Sequence, residues 1–300
     1  MKKILILILS LISYFNTFAQ EGNTFFTWKQ YSEKWEEELL EAYDFYKKIE
    51  ANEFPEYALG HIIFIFNSDT KEKLEKLSTR LSEFNCSSLE ISEGYTSGFK
   101  LSGQTERFPI TKDNVIFWHL AFYKEGYAFD SELAHYGIST KKEKLEFLNY
   151  SADKEKAYYQ KAVEAYKEGN LFGAIVNWNN SLKVNQKDYF SYYDLGYAKN
   201  ELGMFKDAMK DFDKSIEINP KYYSAIVARG TLSDENKEYD IAITYYNRAV
   251  ALEPTNPQAY FNKGNTYFNK NDRKEACLLW NKAKELGAKY AAERIKEVCN

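Results

Sequence analysis

The chain has 300 residues, of which 44% are hydrophobic, 28% are charged and 17% are aromatic. This composition is typical of a globular protein and excludes an intrinsically disordered chain. The net charge of −4 argues against a broad nucleic-acid-binding surface, which needs an excess of basic residues. The length favours two domains, and the three cysteines are too few for a disulfide-rich fold.

Residues 1–19 have the pattern of a secretory signal peptide. Lys2-Lys3 forms a positive n-region, and residues 4–12 form an almost unbroken apolar h-region. Small residues at Thr17 and Ala19 predict cleavage after Ala19. The apolar run is short for a membrane span. We therefore expect an exported, periplasmic or secreted protein in an oxidising compartment, with no membrane span in the mature chain. The alternative is an uncleaved membrane anchor.

Residues 25–138 show the pattern of an α+β domain. Asp69-Thr70-Lys71-Glu72 resembles a capping box, and Thr111 is a suitable N-cap for a later helix. After a leading helix the predicted order is β-α-β-β-α-β, which is the ferredoxin-like arrangement. The predicted elements are a helix over 31–50, a strand over 61–66, a helix ending near Phe84, strands over 87–92 and 98–102, a helix ending near Lys124 and a strand over 130–136.

Four short motifs in this domain resemble the family of regulator of ribonuclease E activity B, the ribonuclease E inhibitors. They are Gly103-Gln104-Thr105, Val115-Ile116-Phe117-Trp118, Phe129-Asp130 and Tyr136-Gly137. The chain departs from the family at Ala134, where the family has an acidic residue. The resemblance implies the fold and not the inhibitory activity, because an exported protein does not meet a cytoplasmic ribonuclease.

Residues 155–287 contain four segments that repeat with a period of 34 residues (208 − 174, 242 − 208, 276 − 242). The equivalent alanines are Ala174, Ala208, Ala242 and Ala276. A small residue stands twelve positions before each alanine, at Ala162, Gly196, Gly230 and Gly264. An aromatic residue stands four positions after each, at Trp178, Phe212, Tyr246 and Trp280. This pattern resembles the tetratricopeptide-repeat (TPR) family, which implies a stack of helical hairpins.

Two segments flank the repeats. Residues 139–154 are charged and contain no Pro or Gly, so they predict a semi-rigid linker with the α+β domain. Residues 288–300 have helical spacing of apolar residues and predict a helix that caps the last hairpin.

The TPR resemblance implies a partner-binding groove lined by the first helix of each hairpin. The candidate residues at the inward-facing positions are Tyr159, Tyr166, Phe190, Tyr193, Tyr197, Asn200, Thr231, Phe261, Asn265, Phe268 and Asn269. Aromatic side chains with a few amides are typical of a peptide-binding surface. The alternative for each is packing between hairpins. Glu201, Asp234 and Glu235 also fall in the predicted groove, which favours a partner segment that carries positive charge.

A disulfide is predicted between Cys277 and Cys299. Cys277 lies ten residues before the expected turn at Gly287, and Cys299 lies twelve residues after it. Antiparallel helices would bring the two cysteines level, with Cα atoms within about 7 Å. Cys86 is expected to be buried.

The sequence contains no recognisable catalytic motif. His61, His119 and His135 lack the spacing of a zinc site, and no nucleophile elbow or phosphate-binding loop is present. The leading hypothesis is a non-enzymatic adaptor or scaffold that binds a protein or peptide, with no cofactor and no metal. The alternative is an enzyme or small-ligand binder with its site in the α+β domain or at the domain junction. A cleft containing His119, His135 and a carboxylate would favour that alternative.

Overall fold

The computed structural model describes residues 28–52, 54–94, 98–139 and 146–299, so the predicted signal peptide lies outside the described residues. The chain divides into two compact units, one of residues up to Lys154 with Gln160–Asn177, the other of Glu155–Tyr159 with Trp178–Asn300. Residues 160–177 of the predicted repeat region thus belong to the first unit.

Every element predicted for the α+β domain is present, with boundaries shifted by a few residues. The observed elements are α1 (Trp28–Ala51), β1 (Leu59–Ser68), α2 (Lys71–Glu83), β2 (Ser87–Glu93), β3 (Phe99–Gln104), β4 (Phe108–Pro109), α3 (Lys112–Ala128) and β5 (Glu132–Ser139). The short strand β4 was not predicted, because two residues are too few to show a periodic pattern.

These strands form a curled antiparallel sheet centred on β1. Strand β1 pairs with β3 on one side and β5 on the other, and its first residues pair with β4. Strand β2 pairs with the outer edge of β3. Alternate residues of β1 point to opposite faces, so Ile62, Phe64 and Phe66 are buried while Ile63 is 40% exposed. One face of the sheet is therefore packed, and the other is open.

The packed face of the sheet is covered by α2 and α3. Leu74, Leu77 and Leu81 of α2 are fully buried, as their helical spacing requires. The Phe64 ring lies 4.5 Å from the Phe122 ring of α3, measured between centroids. Aromatic contacts of this kind join β1 and α3 in the main buried cluster of the unit.

Phe172, within residues 160–177, joins the core of the first unit. Its ring lies 4.0 Å from Trp118 and 5.7 Å from Phe108, both measured between centroids. These contacts explain why residues 160–177 cluster with the α+β domain although the 34-residue period begins before them.

The two predicted helix caps have different outcomes. The Thr111 side chain accepts a hydrogen bond from the Asn114 backbone N–H over 3.2 Å, which confirms Thr111 as a cap. The capping box proposed at residues 69–72 is wrong, because the N-cap residue Thr70 makes no side-chain capping bond. Asp69 instead pairs with Lys73 at 2.7 Å. The Asp69 carboxylate, which a capping box would use to bind a backbone N–H, is engaged instead in an ion pair with Lys73 one helical turn away.

Residues 146–151, the first described residues after β5, are not helical. Phe147 forms an antiparallel bridge with Ala58, and the Glu146 carbonyl accepts a hydrogen bond from the Leu59 N–H over 2.7 Å. A single 3-10 turn follows at Ala152–Lys154.

The C-terminal half consists of helical hairpins. In the described part of the chain the helices are α4 (Glu155–Lys167), α5 (Leu171–Val184), α6 (Tyr189–Glu201), α7 (Phe205–Ile218), α8 (Tyr223–Glu235), α9 (Tyr239–Leu252), α10 (Pro257–Asn269), α11 (Arg273–Glu285) and α12 (Ala291–Val298). None of the described helices is long and apolar enough to cross a membrane.

The small residues of the repeat mark the place where the helices of a hairpin approach each other. A Cβ atom added to Gly196 would lie 2.6 Å from the Phe212 ring, and one added to Gly264 would lie 2.7 Å from the Trp280 ring. Both distances are shorter than van der Waals contact. In these two hairpins the aromatic residue of the second helix therefore requires a glycine opposite it on the first helix.

The last helix, α12, covers the final hairpin. Ala283, Ala288 and Ala291 form a buried cluster there. The sulfur atoms of Cys277 and Cys299 are within bonding distance, and the Cα atoms are 5.7 Å apart. This separation confirms the predicted pairing of Cys277 with Cys299. Cys86 is buried as expected, and its burial raises the pKa of the thiol to about 12.

Candidate partner-binding surface

The first helices of successive hairpins lie side by side. We call the surface formed by α6, α8, α10 and the first residues of α4 (155–159) the first-helix face. The Tyr159 hydroxyl donates a hydrogen bond to Asp194 Oδ2 over 2.9 Å, and Asn269 Nδ2 donates to Asp234 Oδ2 over 2.9 Å. Each bond joins residues 35 apart, so each links equivalent parts of neighbouring hairpins.

The first-helix face carries an aromatic cluster, which we define as Tyr189, Phe190, Tyr193, Tyr197 and Tyr222. The first four residues belong to α6, and Tyr222 is the N-cap residue of α8. Ring centroids are separated by 4.9 Å between Tyr193 and Tyr197, 5.1 Å between Tyr193 and Tyr222, and 5.4 Å between Phe190 and Tyr222. These are the distances of directly packed aromatic pairs.

Members of the aromatic cluster differ in exposure. Phe190 is 43% exposed and Tyr197 is 40% exposed, which is unusual for side chains of this size. Tyr193 is half-buried, and its ring lies 6.1 Å from the buried Phe212 ring. Phe190 and Tyr197 thus present open contact area, while Tyr193 also supports the hairpin.

Asp194 is a charged residue among the aromatic cluster that the sequence prediction missed. Desolvation raises the pKa of Asp194 to about 6; the Tyr159 hydrogen bond opposes this rise, and the Asp188 charge adds to it. Burial and the Asp194 charge together raise the pKa of Tyr222. In the sequence, the signal that points to Asp194 is its position between the predicted groove residues Tyr193 and Tyr197. A carboxylate with a perturbed pKa on an open face is a candidate functional group.

Two of the predicted groove residues make contacts within their own hairpin. The Thr231 hydroxyl donates to the Val227 carbonyl and lies 3.1 Å from the Tyr246 hydroxyl. Asn265 Oδ1 accepts a hydrogen bond from Trp280 Nε1 over 3.1 Å. In both cases a first-helix side chain satisfies a polar atom of the buried aromatic on the second helix.

The two aromatics predicted in the fourth hairpin pack toward the end of the chain. The Phe261 ring lies 4.7 Å from the Tyr290 ring, measured between centroids. The Phe268 ring lies 5.7 Å from Trp280, and the Arg294 guanidinium lies 5.5 Å from the Phe268 centroid. The structure therefore does not bring Phe261 and Phe268 together with the aromatic cluster.

The remaining predicted residues have mixed environments. Tyr166 is 37% exposed on α4, and Asn269 is exposed where it bonds Asp234. Asn200 Oδ1 is buried and has no hydrogen-bond partner among the described residues. A buried amide oxygen without a donor is costly, so Asn200 is a second polar group that a ligand could satisfy.

The histidine pair required by the enzyme hypothesis does not assemble. His119 is buried on α3, its Nε2 lies 2.8 Å from Glu38 Oε2, and its ring packs 4.4 Å from Tyr136. His135 precedes Tyr136 in β5 and points to the opposite, open face of the sheet. On that face His135 borders a shallow hollow with Ile63 and Ser102. In the described ranges no group of His, Cys, Asp and Glu is placed to hold a metal.

Family models match three segments of the C-terminal half. The model described as tetratricopeptide repeat matches residues 189–222, a second of the same description matches 257–286, and one described as TPR repeat matches 235–271. The C-terminal half therefore contains TPR repeats. Comparison with curated proteins gives no match.

Several solved structures are similar to part of the chain. MamA 41-end from Desulfovibrio magneticus RS-1 is 22% identical, with 49% of this chain and 94% of that chain covered and a TM-score of 0.43. YrrB, described as a TPR protein with an unusual peptide-binding site, is 17% identical, with 85% and 99% covered and a TM-score of 0.44. PilF of Pseudomonas aeruginosa is 18% identical, with 45% and 62% covered and a TM-score of 0.42.

Proposed function

We propose that the protein is an exported, non-enzymatic adaptor or scaffold whose first-helix face binds a protein or peptide partner. The aromatic cluster carries this proposal. Phe190 and Tyr197 are both exposed on the first helix α6, where a soluble protein has no folding reason to place large aromatic side chains. Rigid aromatic side chains provide large contact areas with few rotatable bonds, so they bind partners at low entropic cost.

Acidic residues stand at the C-terminal ends of the same first helices. Glu201 ends α6, and Asp234 and Glu235 end α8. An apolar centre with a polar rim is the usual anatomy of a protein interface. The rim supports a protein or peptide as the ligand rather than a small apolar molecule.

Export is part of the proposal and rests on the signal-peptide pattern of residues 1–19. The pairing of Cys277 with Cys299 supports it, because disulfides persist mainly in oxidising compartments. N-terminal sequencing of native protein should begin at Gln20. Recovery of intact chain beginning at Met1 from the cytoplasm would contradict export.

We further propose that the α+β domain is ferredoxin-like and serves as a second contact or regulatory module. The pairing of β1 with both β3 and β5, and of β3 with β2, supports the strand order β2-β3-β1-β5 of that fold. Its open sheet face, with the exposed Ile63 beside His135, is the surface through which such a module would act.

The test of partner binding compares two double variants. Phe190→Ser with Tyr197→Ser removes the exposed centre of the aromatic cluster. Ile241→Ser with Leu278→Ser is the matched control, because both residues are exposed apolar side chains on the second helices α9 and α11. Each tagged protein is used to capture partners from the envelope of the producing cell. We expect the first variant to lose the wild-type partners and the control to retain them. Equal capture by both variants would exclude the aromatic cluster as the binding site.

A further inference from the structure

Asp194 of α6 is hydrogen bonded to Tyr159 of α4, and the chain leaves its charge uncompensated. Tyr159 supplies one hydrogen bond to Oδ2. Asp188, which caps α6 by accepting the Phe190 N–H over 3.1 Å, adds a negative charge nearby. Across the described ranges no lysine or arginine pairs with Asp194, and the charges acting on it are not cationic.

This absence of a cation is unusual for a desolvated carboxylate. Removing a charge from water is costly unless the charge is paired or fully hydrogen bonded. Buried lysine and arginine side chains elsewhere in the repeats have partners: Lys199 lies 2.7 Å from Asp211, and Arg229 lies 3.0 Å from Asp213. These two buried cations are paired with carboxylates, whereas Asp194 has only the neutral Tyr159 hydroxyl as a partner.

The surroundings of Asp194 suit a cation that arrives from outside. Tyr193 and Tyr222 are 5.1 Å apart, and the hydroxyl groups of Tyr159 and Tyr222 lie near the Asp194 carboxylate. Aromatic rings attract cations to their faces, and tyrosine oxygens accept N–H hydrogen bonds. The exposed rings of Phe190 and Tyr197 offer an apolar surface for the hydrocarbon stem of a long basic side chain.

We propose that Asp194, with Tyr159, Tyr193 and Tyr222, forms a subsite that takes a lysine or arginine side chain of the bound partner segment. The inference rests on the proposed function and specifies the partner's chemistry. The cation pairs with the carboxylate while its stem packs against the aromatic cluster. Asp188 reinforces the selection, because its negative charge repels acidic or phosphorylated segments.

The experiment uses the chain from Gln20 to Asn300 and a displayed library of random peptides. Peptides are selected on the wild type, on Asp194→Asn and on Glu217→Gln. The asparagine keeps an oxygen that can accept the Tyr159 hydrogen bond, so it removes the charge and preserves the contact. Glu217 is an exposed carboxylate on the second helix α7, and its replacement removes the same net charge outside the first-helix face.

A second measurement isolates the pairwise interaction. The tightest peptide is resynthesised with its basic residue replaced by the neutral isosteres norleucine or citrulline. We expect this change to weaken binding to the wild type about tenfold, as the loss of a charge-assisted contact does. On Asp194→Asn the same change should cost no more than about twofold, which defines a coupling between the two groups.

The expected selection result is enrichment of lysine and arginine on the wild type and Glu217→Gln, and loss of that enrichment on Asp194→Asn. Peptides that need Phe190 and Tyr197 but show no basic preference would overturn the subsite and leave the proposed function standing. Equal loss of preference in Glu217→Gln would overturn it as an effect of net charge. If no peptide binds, or if binding survives Phe190→Ser with Tyr197→Ser, the proposed function fails and the subsite fails with it.

Discussion

The Tyr159 hydroxyl donates a hydrogen bond to the Asp194 carboxylate over 2.9 Å, and this bond joins the first helices of two hairpins. The bond is neutral on the donor side, so it does not compensate the charge of the acceptor. Desolvation therefore prevails and raises the pKa of Asp194 to about 6. The ionised Asp194 carboxylate therefore lowers the stability of the folded chain at neutral pH. Asp194 lies on α6, the helix that also carries the exposed Phe190 and Tyr197.

This cost predicts how stability depends on pH. The pKa of Asp194 is about 6 in the folded chain and 3.8 in the reference state, so the folded chain binds more protons between these values. Ionisation of Asp194 therefore weakens folding as the pH rises from about 4 to about 6. The groups that face it are Tyr159, Asp188 and Tyr222, and none of them is cationic.

We expect Asp194→Asn to match the wild type near pH 4 and to be more stable by about 1–3 kcal/mol above pH 6. Urea unfolding followed by circular dichroism at pH 4, 5, 6 and 7 measures the difference. A variant that is less stable than the wild type at pH 7 would show that the carboxylate has a cationic partner in the folded chain.

The glycine at the centre of a hairpin predicts a large effect of a small substitution. A Cβ at position 196 would lie 2.6 Å from the buried Phe212 ring, so Gly196→Ala must displace that ring. Overpacking of this kind costs about 1–3 kcal/mol. Thermal unfolding of Gly196→Ala, Phe212→Leu and the double variant tests the mechanism. Because leucine lacks the ring atoms that the new Cβ would meet, Gly196→Ala should lower the free energy of unfolding clearly less in the Phe212→Leu background. An equal cost in both backgrounds would assign the effect to the α6 backbone instead.

The pairing of Cys277 with Cys299 predicts that the stability of the last hairpin and of α12 depends on the redox state of these cysteines. The cross-link spans 22 residues and is expected to stabilise the last hairpin and α12 by about 3 kcal/mol through restriction of the unfolded chain. Reduction should accelerate hydrogen exchange in α11 and α12 and leave α6 and α8 unchanged. Cys277→Ser with Cys299→Ser should show the hydrogen-exchange rates of the reduced protein, and adding reductant should not change them. If reduction changes neither exchange nor the unfolding midpoint, the cross-link does not form.

The repeat half could be predicted from the sequence because its determinants are local and periodic. The alanines from Ala174 to Ala276 fix the period, and Gly196 and Gly264 mark the contacts with the buried aromatics. The cysteine pairing followed from counting residues on either side of one turn at Gly287. Antiparallel helices convert such counts directly into proximity.

The candidate site was harder to predict because it depends on contacts between hairpins. The environment of Asp194 depends on its hydrogen bond with Tyr159, which is 35 residues away in the chain and belongs to another hairpin. Tyr222 joined the aromatic cluster as an N-cap residue, outside the helical register that defined the predicted groove. Phe268 fits that register, yet it packs beside Trp280 and Arg294, since α12 follows the last hairpin in place of another repeat.

Site-specific photo-crosslinking tests the central claim most directly. The cross-linking amino acid p-benzoylphenylalanine replaces Tyr197 on the first-helix face or Ile241 on the second helix α9, and the two side chains are similarly exposed at 40% and 44%. Cells that make the protein are irradiated, and cross-linked products are separated by mass. A binding surface at the aromatic cluster predicts a discrete protein adduct at position 197 that is absent at position 241 and is lost with Phe190→Ser. Adducts of equal yield at both positions, or adducts at 241 alone, would contradict it.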